Sequence, residues 1–246
     1  MLTLIKSIWQ GKRRTEDITT TGSNRYRGKL EITDDSSCKE CKKCLNVCPV
    51  NALKIDNKGK IQINYDNCIF CGKCVEACGE KVLQHTPELV LPELIEETRV
   101  IVGKEIKKRW GRSLHIRHFD SGSCNACEFE LEAMNNPIYD LDRYGVSFVA
   151  SPRHADILTV SGTLTRNLEE ALHLTYDAME EPKMVMAIGA CAAGGETYKK
   201  SYALVGPISD VLPVDIKVPG CPPKPAAMII ALVAASDIFE KKLKNK

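Results

Sequence analysis

Short apolar runs alternate with longer amphipathic segments through the second half of the chain. Most residues in these runs are apolar, and the runs cover 114–119, 146–150, 157–161, 184–188 and 215–218. Two other segments, 168–179 and 226–243, place apolar residues at helical spacing, which predicts helices. Apolar strands separated by helices are typical of a parallel sheet covered on both faces. The pattern therefore predicts a small doubly wound α/β domain over 113–246.

The first third of the chain contains an internal repeat. Each copy has four cysteines spaced C-x2-C-x2-C-x3-C, with a short helical turn and a short strand, which predicts an α+β domain over 31–85. The eight cysteines are Cys38, Cys41, Cys44, Cys48, Cys68, Cys71, Cys74 and Cys78. Bacterial-type ferredoxins hold two [4Fe–4S] clusters with this spacing. So short a module buries little apolar surface, and the clusters are expected to stabilise it from within.

Two further segments complete the predicted organisation. Residues 1–30 begin with an apolar stripe at helical spacing, followed by basic residues and a polar connector. The stripe predicts an amphipathic helix that lies on a membrane surface or a partner subunit. A helix docked on the chain's own core, or a frayed terminus, is the alternative. Residues 86–112 carry a second apolar stripe after two prolines, which predicts a helical linker.

Composition narrows the class of protein. The net charge of +2 favours neither a nucleic-acid-binding protein nor an acidic tail. No apolar run has membrane-spanning length, and the start lacks a signal-peptide pattern, so a cytoplasmic location is expected. Cysteines stay reduced there, and clustered cysteines are then expected to bind metal rather than form disulfides.

The remaining four cysteines follow three different predicted strands. Cys124 and Cys127 come after the first strand, Cys191 after the fourth and Cys221 after the fifth. Because the carboxyl ends of parallel strands meet at one edge of a sheet, these thiols are expected to converge. Four converging thiolates predict a third [4Fe–4S] site.

Other chemistries remain open for this region. Cys191 and Cys221 are each compatible with an inert buried cysteine. A zinc site with four cysteine ligands is usually built from two nearby CxxC knuckles, so the dispersed pattern argues against zinc. The segment GACAAGGET is rich in glycine but lacks the remaining residues of a phosphate-binding loop. Arg153, in SPRHADIL, is expected to reach the third cluster and favour its reduced state, with an ordinary surface or core arginine as the alternative.

Several stretches together resemble a known family. LHIRHFDSGSCNACEFELEA, SPRHADILTVSG, AIGACAAGG and VDIKVPGCPPKPA resemble the small subunit of membrane-bound, energy-converting (group 4) [NiFe] hydrogenases. That family includes the formate hydrogenlyase type and is homologous to the cluster-bearing subunit of respiratory complex I. The resemblance covers about 114–242, where a flavodoxin-like sheet is expected. RYRGKLEI and the two cysteine runs resemble the two-cluster ferredoxin subunit of the same complexes, here fused to the small subunit.

The resemblance implies the cluster ligands. The family binds the cluster proximal to the large-subunit active site with the cysteines that match Cys124, Cys127, Cys191 and Cys221. In ferredoxins the last cysteine of each run serves the other cluster. This assigns Cys38, Cys41, Cys44 and Cys78 to one cluster and Cys48, Cys68, Cys71 and Cys74 to the other. One departure is that Cys78 is followed by Gly79 instead of the usual proline.

The resemblance also implies the function. The chain is expected to be the iron–sulfur subunit of an oxidoreductase complex of the hydrogenase type, with three [4Fe–4S] clusters and no active site of its own. Expected partners are a [NiFe]-type large subunit, membrane-arm subunits and an electron donor such as ferredoxin or formate dehydrogenase, with no nucleic acid. The expected location is peripheral, on the inner face of the cell membrane.

Three alternatives to this function stay open. A complex I-like quinone oxidoreductase is one, although complex I subunits have adjacent cysteines where this chain has CxxC. A related complex whose large subunit lacks nickel is the second, and a structural metal protein is the third. Glu128 and Glu130 are expected either to pass protons or bind the partner, or to be ordinary first-turn helix acids.

Overall fold

The computed structural model describes residues 26–33, 42–57, 59–79, 81–91, 113–198 and 201–244, with the side chains of the last helix described to residue 235. Several predicted features lie outside these residues: the amphipathic N-terminal helix, Cys38, Cys41 and the linker helix. The domain boundaries at 30, 85 and 112 stay predictions.

The first part of the described chain is a small α+β module. Its elements are β1 (Leu30–Ile32), α1 (Lys43–Val47), β2 (Leu53–Ile55), β3 (Ile61–Ile63), α2 (Lys73–Ala77) and β4 (Leu83–His85). The strands β1 and β4 pair antiparallel, as do β2 and β3. A short helix precedes β2 and another precedes β4, so the predicted repeat of helical turn and strand is confirmed.

The module has a small core. Its buried apolar residues include Leu30, Leu53, Ile61 and Leu83, and the side chain of Cys44 is buried among them. Three-residue strands and short helices bury little apolar surface. The cysteine side chains therefore form part of the interior of the module.

The second part is an α/β domain. Its elements are β5 (Leu114–Asp120), α3 (Ala126–Ala133), β6 (Val146–Phe148), β7 (Ile157–Ser161), β8 (Leu164–Thr165), α4 (Arg166–Asp177), β9 (Met184–Ile188), α5 (Gly189–Gly194), β10 (Leu204–Gly206), β11 (Ile216–Val218) and α6 (Pro225–Lys244). Five of the strands form one sheet, and β8 and β10 form a separate antiparallel pair.

The five-stranded sheet is parallel throughout, in the order β6-β5-β7-β9-β11. Counted along the chain, this is the 2-1-3-4-5 order of flavodoxin-like doubly wound folds, so the predicted fold is confirmed. Asp120 lies opposite Ser161, Ser161 opposite Ile188, and Ile188 opposite Val218. The strands β5, β7, β9 and β11 thus end at one level, which we call the carboxyl edge.

Helices cover both faces of this sheet. Successive residues of a strand point to opposite faces, and Ile157 and Leu158 accordingly belong to different apolar clusters. The Ile157 cluster includes Met228 and Ile229 of α6, and the Leu158 cluster includes Leu172 of α4. Because both faces are covered, β7 and β9 are buried along their whole length. The strand β5 differs, since His115, Arg117 and His118 alternate with or follow its apolar residues.

Three details differ from the sequence-based prediction. The glycine-rich stretch 189–194, for which no helix was predicted, is the six-residue helix α5, which begins directly after β9. The strands β8 and β10 were not predicted, because strands of two or three residues show too little periodicity. Finally, β6 ends at Phe148 rather than at residue 150.

The module packs against the α/β domain. Leu89, which follows β4, is buried in the apolar cluster of α6, and Tyr26 packs against that cluster. The strand β11 is the edge strand on the other side of the sheet from β6. Its Lys217 Nζ lies 3.1 Å from Oδ2 of Asp66 in the module. The module therefore lies against the β11 side of the sheet.

The helix α6 is 20 residues long and follows the last strand of the sheet. Its first half is buried, with Met228, Ala231 and Leu232 at 1% exposure or less. Among the described helices, none has both the length and the apolar character needed to cross a membrane.

We expect Leu158→Ala to lower the free energy of unfolding by about 2–5 kcal/mol, because Leu158 is fully buried in β7. Leu174→Ala is the matched control. The Leu174 residue in α4 is 64% exposed, and its truncation should change the free energy of unfolding by no more than about 0.5 kcal/mol. Denaturant unfolding of the full chain, followed by circular dichroism, measures both. Equal losses in the two variants would contradict this assignment of the core.

Candidate iron–sulfur sites

Four cysteines form a candidate site in the module, which we call the module site: Cys48, Cys68, Cys71 and Cys74. Cys48 follows α1, and the other three lie before or within α2. Burial raises the pKa of Cys68 to about 11, and the charges of the other three thiols add to the rise. Burial also raises the pKa of Cys74 to about 11, with contributions from Cys71 and Cys48. The four thiols are therefore close enough for a charge on one to raise the pKa of another.

An apolar cavity lies among the cysteines of the module site. All four line it, and apolar side chains such as Leu30, Leu53 and Phe70 surround them. Cysteine thiolates are the usual ligands of iron–sulfur clusters, and an apolar shell controls the access of water to such a metal centre. The donor set and the cavity together fit a [4Fe–4S] cluster.

Backbone amides point at the sulfur atoms of this site. The N–H of Ala52 donates to Cys48 Sγ at 3.2 Å. A backbone hydrogen bond from Val75 partly opposes the rise in the pKa of Cys74. Hydrogen bonds to thiolate sulfur stabilise the charged form and tune the reduction potential of a bound cluster.

Two polar residues beside the module site were missed by the sequence analysis. His85 lines the cavity; its Nδ1 donates to Gly28 O at 3.1 Å, and its Nε2 is buried without a partner among the described residues. Arg27 Nη1 donates to Cys71 O at 2.7 Å. These hydrogen bonds join residues 57 and 44 positions apart, so no local pattern signals them.

The two cysteine runs of the module are interleaved. Cys48, the last cysteine of the first run, packs with Cys68 of the second run. Cys78, the last cysteine of the second run, packs against the apolar cluster that contains Cys44. Cys38 and Cys41, the other expected partners of Cys44, lie outside the described residues.

A second candidate site lies at the carboxyl edge of the sheet, and we call its four cysteines the edge site: Cys124, Cys127, Cys191 and Cys221. They stand at the start of α3, in α5 and just after β11. Burial strongly raises the pKa of Cys127, and the charges of Glu128 and of the other three thiols add to the rise. The edge of the sheet therefore brings together thiols from three separate strand ends.

The backbone at the edge site leaves room for sulfur. Gly189 has φ +84°, and a Cβ there would lie 2.8 Å from Cys127 Sγ. Ala190 N–H donates to Gly220 O at 2.8 Å, which joins the start of α5 to the loop that carries Cys221. Glycine is needed at position 189 both for the left-handed backbone and for the space beside the thiol. This space and the four-thiol donor set fit a cluster.

A polar network holds the start of α3. Glu128 accepts hydrogen bonds from Ser123 Oγ at 2.6 Å and from Ser161 Oγ. His118 Nε2 lies 3.5 Å from Glu128 Oε1, and burial lowers the pKa of His118. The network joins β5, β7 and α3, and thereby fixes the backbone next to Cys127.

Glu130 and Arg153 are two other residues named as candidates from the sequence. Burial raises the pKa of Glu130, and Lys224 opposes that rise. Arg153 lies in the single helical turn Pro152–His154, where its side chain is exposed. Its role beside the third cluster stays a prediction.

The module site and the edge site are neighbours. Burial is the largest cause that raises the pKa of Cys221, and the charges of Cys191, Cys124 and Cys71 raise this pKa further, in that order. Of these, Cys71 belongs to the module site. Within the described residues, no three His, Cys, Asp or Glu side chains are arranged to hold a single metal ion; a [4Fe–4S] cluster instead takes its four thiolates around several iron atoms.

The chain matches two protein-family models. Residues 124–235 match the NADH ubiquinone oxidoreductase, 20 Kd subunit family, and residues 30–79 match the 4Fe-4S dicluster domain. The first match covers most of the α/β domain with the edge site, and the second covers most of the module with the module site.

Individual proteins are also similar. The probable membrane-bound hydrogenase subunit mbhJ of Pyrococcus furiosus is 44% identical over 136 residues, which is 55% of this chain and 81% of that protein. Formate hydrogenlyase subunit 7 of Escherichia coli is 33% identical over 153 residues, 62% of this chain and 60% of that protein. A chain of the membrane-bound sulfane sulfur reductase (MBS), an archaeal respiratory membrane complex, is 28% identical with a TM-score of 0.48, covering 56% of this chain and 77% of that chain.

We expect Gly189→Ala to lower the iron content of the chain by about four atoms, one cluster, because the added methyl would collide with Cys127 Sγ. Gly145→Ala is the control, since Gly145 also has a left-handed backbone, φ +73°, but nothing lies within 4 Å of its added methyl. Both variants carry backbone strain of about 1–3 kcal/mol, so strain alone cannot separate them. Iron and acid-labile sulfide analysis measures the difference, and equal iron in the two variants would argue against a cluster at the edge site.

Proposed function

The chain belongs to the family of iron–sulfur small subunits of energy-converting, formate hydrogenlyase-type (group 4) [NiFe] hydrogenases, and on this premise we propose the arrangement of its cofactors and partners. It is an electron-transfer subunit of a membrane hydrogenase complex. A ferredoxin-type iron–sulfur domain precedes the small-subunit domain in the same chain. The resemblance seen in the sequence is thus confirmed.

The proposal assigns three [4Fe–4S] clusters to twelve cysteines. The ligands are Cys38, Cys41, Cys44 and Cys78 for an outer site, Cys48, Cys68, Cys71 and Cys74 for the module site, and Cys124, Cys127, Cys191 and Cys221 for the edge site. The observation that carries the proposal is the gathering of the edge-site thiols from three strand ends. The packing of Cys48 with Cys68 and of Cys78 near Cys44 supports the exchange of cysteines between the two runs.

The proposed order is outer site, module site, edge site. When bound, the clusters carry electrons one at a time between a donor and the active site of a partner subunit. Cys71 and Cys221 are neighbours across the junction, which supports direct exchange between the module site and the edge site. The Arg27 guanidinium favours added negative charge at the module site, whereas the Glu128 carboxylate disfavours it at the edge site.

The edge site is the proposed contact with a [NiFe]-type large subunit. Cys124 and Cys221 are exposed, and Phe129 in α3 is 69% exposed. Aromatic residues are enriched where protein surfaces meet. Membrane-arm subunits and an electron donor such as ferredoxin or formate dehydrogenase are the other proposed partners, with the chain peripheral on the cytoplasmic face of the membrane. The proposed domains are 31–85 and 113–246, joined by 86–112.

A second candidate function is favoured by one observation. The family that matches residues 124–235 is named after the 20 Kd subunit of NADH ubiquinone oxidoreductase. A complex I-like quinone oxidoreductase, or a related complex whose large subunit lacks nickel, is therefore the rival. The CxxC of Cys124 and Cys127 favours the hydrogenase.

Cys221→Ala in the intact complex tests the proposal. The wild-type chain is expected to hold about 12 iron atoms and about 12 sulfides, and its complex to contain nickel and to evolve H2 from a low-potential donor. The variant is expected to lose about four iron atoms and H2 evolution. The two clusters of the module stay reducible by dithionite, as seen by EPR. Leu174→Ala, a change on the exposed face of α4, should leave all of these values at the wild-type level.

Each contrary result has a specific meaning. Undiminished H2 evolution in Cys221→Ala would overturn the role of the edge site. A complex without nickel that reduces quinone would establish the second candidate instead. Zinc in place of iron in the wild-type chain would overturn the cluster assignment as a whole.

A further inference from the structure

The module and the α/β domain approach each other closely at a glycine. Gly194 is the last residue of α5, and a Cβ on it would lie 2.5 Å from the carbonyl oxygen of Asp66 and closer still to Asn67 Oδ1. Real Cβ atoms essentially never approach a backbone atom at that distance. Only a hydrogen atom fits between the two domains at this point, which we call the seam.

The seam joins the segments that carry the cysteines. Asn67 immediately precedes Cys68 of the module site, and Gly194 follows Cys191 of the edge site by one helical turn. An ion pair between Asp66 Oδ2 and Lys217 Nζ, at 3.1 Å, also connects the seam to β11, the strand that precedes Cys221 of the edge site. The residues that touch across the seam are therefore close in the chain to ligands on both sides.

The module side of the seam is rigid. Asn64 N–H donates to Ala52 O at 2.7 Å, Asp66 N–H donates to Asn64 Oδ1 at 3.0 Å, and Cys68 N–H donates to Tyr65 O at 3.2 Å. These hydrogen bonds hold the turn that contains Asp66. They hold the residues on both sides of the Asp66 carbonyl, so a methyl on Gly194 that displaced the whole turn would strain them.

The α/β side is equally fixed. Ala192 and Ala193 of α5 are buried in the core, at 1% exposure or less. The start of the helix is held by the Ala190 N–H···O=C Gly220 hydrogen bond. With both sides held, extra volume at position 194 moves the two domains apart as bodies.

The backbone conformation gives no other reason for a glycine at position 194. Its φ is not in the left-handed region, and in a helix alanine is intrinsically more favourable than glycine by about 1 kcal/mol. The glycine is therefore explained by the approach of the module alone.

We propose that Gly194, with the Asp66–Lys217 ion pair, sets the spacing between the module site and the edge site, and so acts as a positioning residue for electron transfer between them. The inference rests on the proposed function, because it assumes clusters at both sites. The proximity of Cys71 and Cys221 supports it.

Gly194→Ala in the intact complex is the main test. In the wild type, reduced clusters at the two sites are expected to broaden or split each other's EPR signals through space. In Gly194→Ala this interaction is expected to weaken or vanish, while iron and sulfide contents stay at the wild-type level. Gly59→Ala is the control. Like the test variant, it adds a methyl to a glycine, but this glycine lies in the open turn between β2 and β3 of the module, where nothing lies within 4 Å of the methyl. Its EPR interaction should match the wild type.

A second pair of variants covers the case in which Gly194→Ala does not fold. Lys217→Met removes the ion pair without adding volume to the seam, and is expected to weaken the EPR interaction less than Gly194→Ala. Lys217→Arg keeps the positive charge, and its EPR interaction is expected to match the wild type. An unchanged interaction in Gly194→Ala, or in Lys217→Met if Gly194→Ala does not fold, with full iron content, would overturn this inference but leave the proposed function intact. Missing iron in the wild type would overturn the proposed function itself.

Discussion

The parallel register of the five-stranded sheet is the constraint on which the candidate sites depend. The strands β5, β7, β9 and β11 run in one direction and end at one level, so the segments that follow them leave from a single edge. Thiols from three separate strand ends meet there for this reason, and no local motif would bring them together. A one-residue slip of any strand would exchange its side chains between the two covered faces and would shift the segment that follows it. The same register therefore determines both the core and the edge site.

The module follows a different principle. Its cysteines are close in sequence, its strands are three residues long, and its apolar core is small. Stability has to come from other sources, and two are visible in the structure. One is the set of thiols around an apolar cavity, suited to a cluster. The other is the packing of Leu89 and Tyr26 with the core of the α/β domain, which ties the module to the larger fold.

The residues that are easiest to predict are those whose signal is local. The strands β7 and β9 were predicted because strands buried on both faces are apolar along most of their length. The module cysteines were predicted because their spacing is distinctive. The helix α5 was missed because GACAAG has no amphipathic period. His85 and Arg27 were missed because each bonds to a residue 44 or more positions away. The Asp66–Lys217 pair, 151 positions apart, depends on how two domains pack, which no sequence pattern contains.

The sequence motif and the tertiary contacts thus supply different parts of the function. The cysteine spacing of the module indicates an iron–sulfur cofactor. Under the proposed function, the junction determines whether the clusters of the module site and the edge site can exchange electrons. Diffraction data collected at the iron absorption edge, from crystals of the chain in its complex, test this account most directly. The account predicts one iron peak within Cys48, Cys68, Cys71 and Cys74, a second within Cys124, Cys127, Cys191 and Cys221, and Cys71 and Cys221 on the sides that face each other. An edge site with no iron peak, its four thiols directed apart, would contradict it.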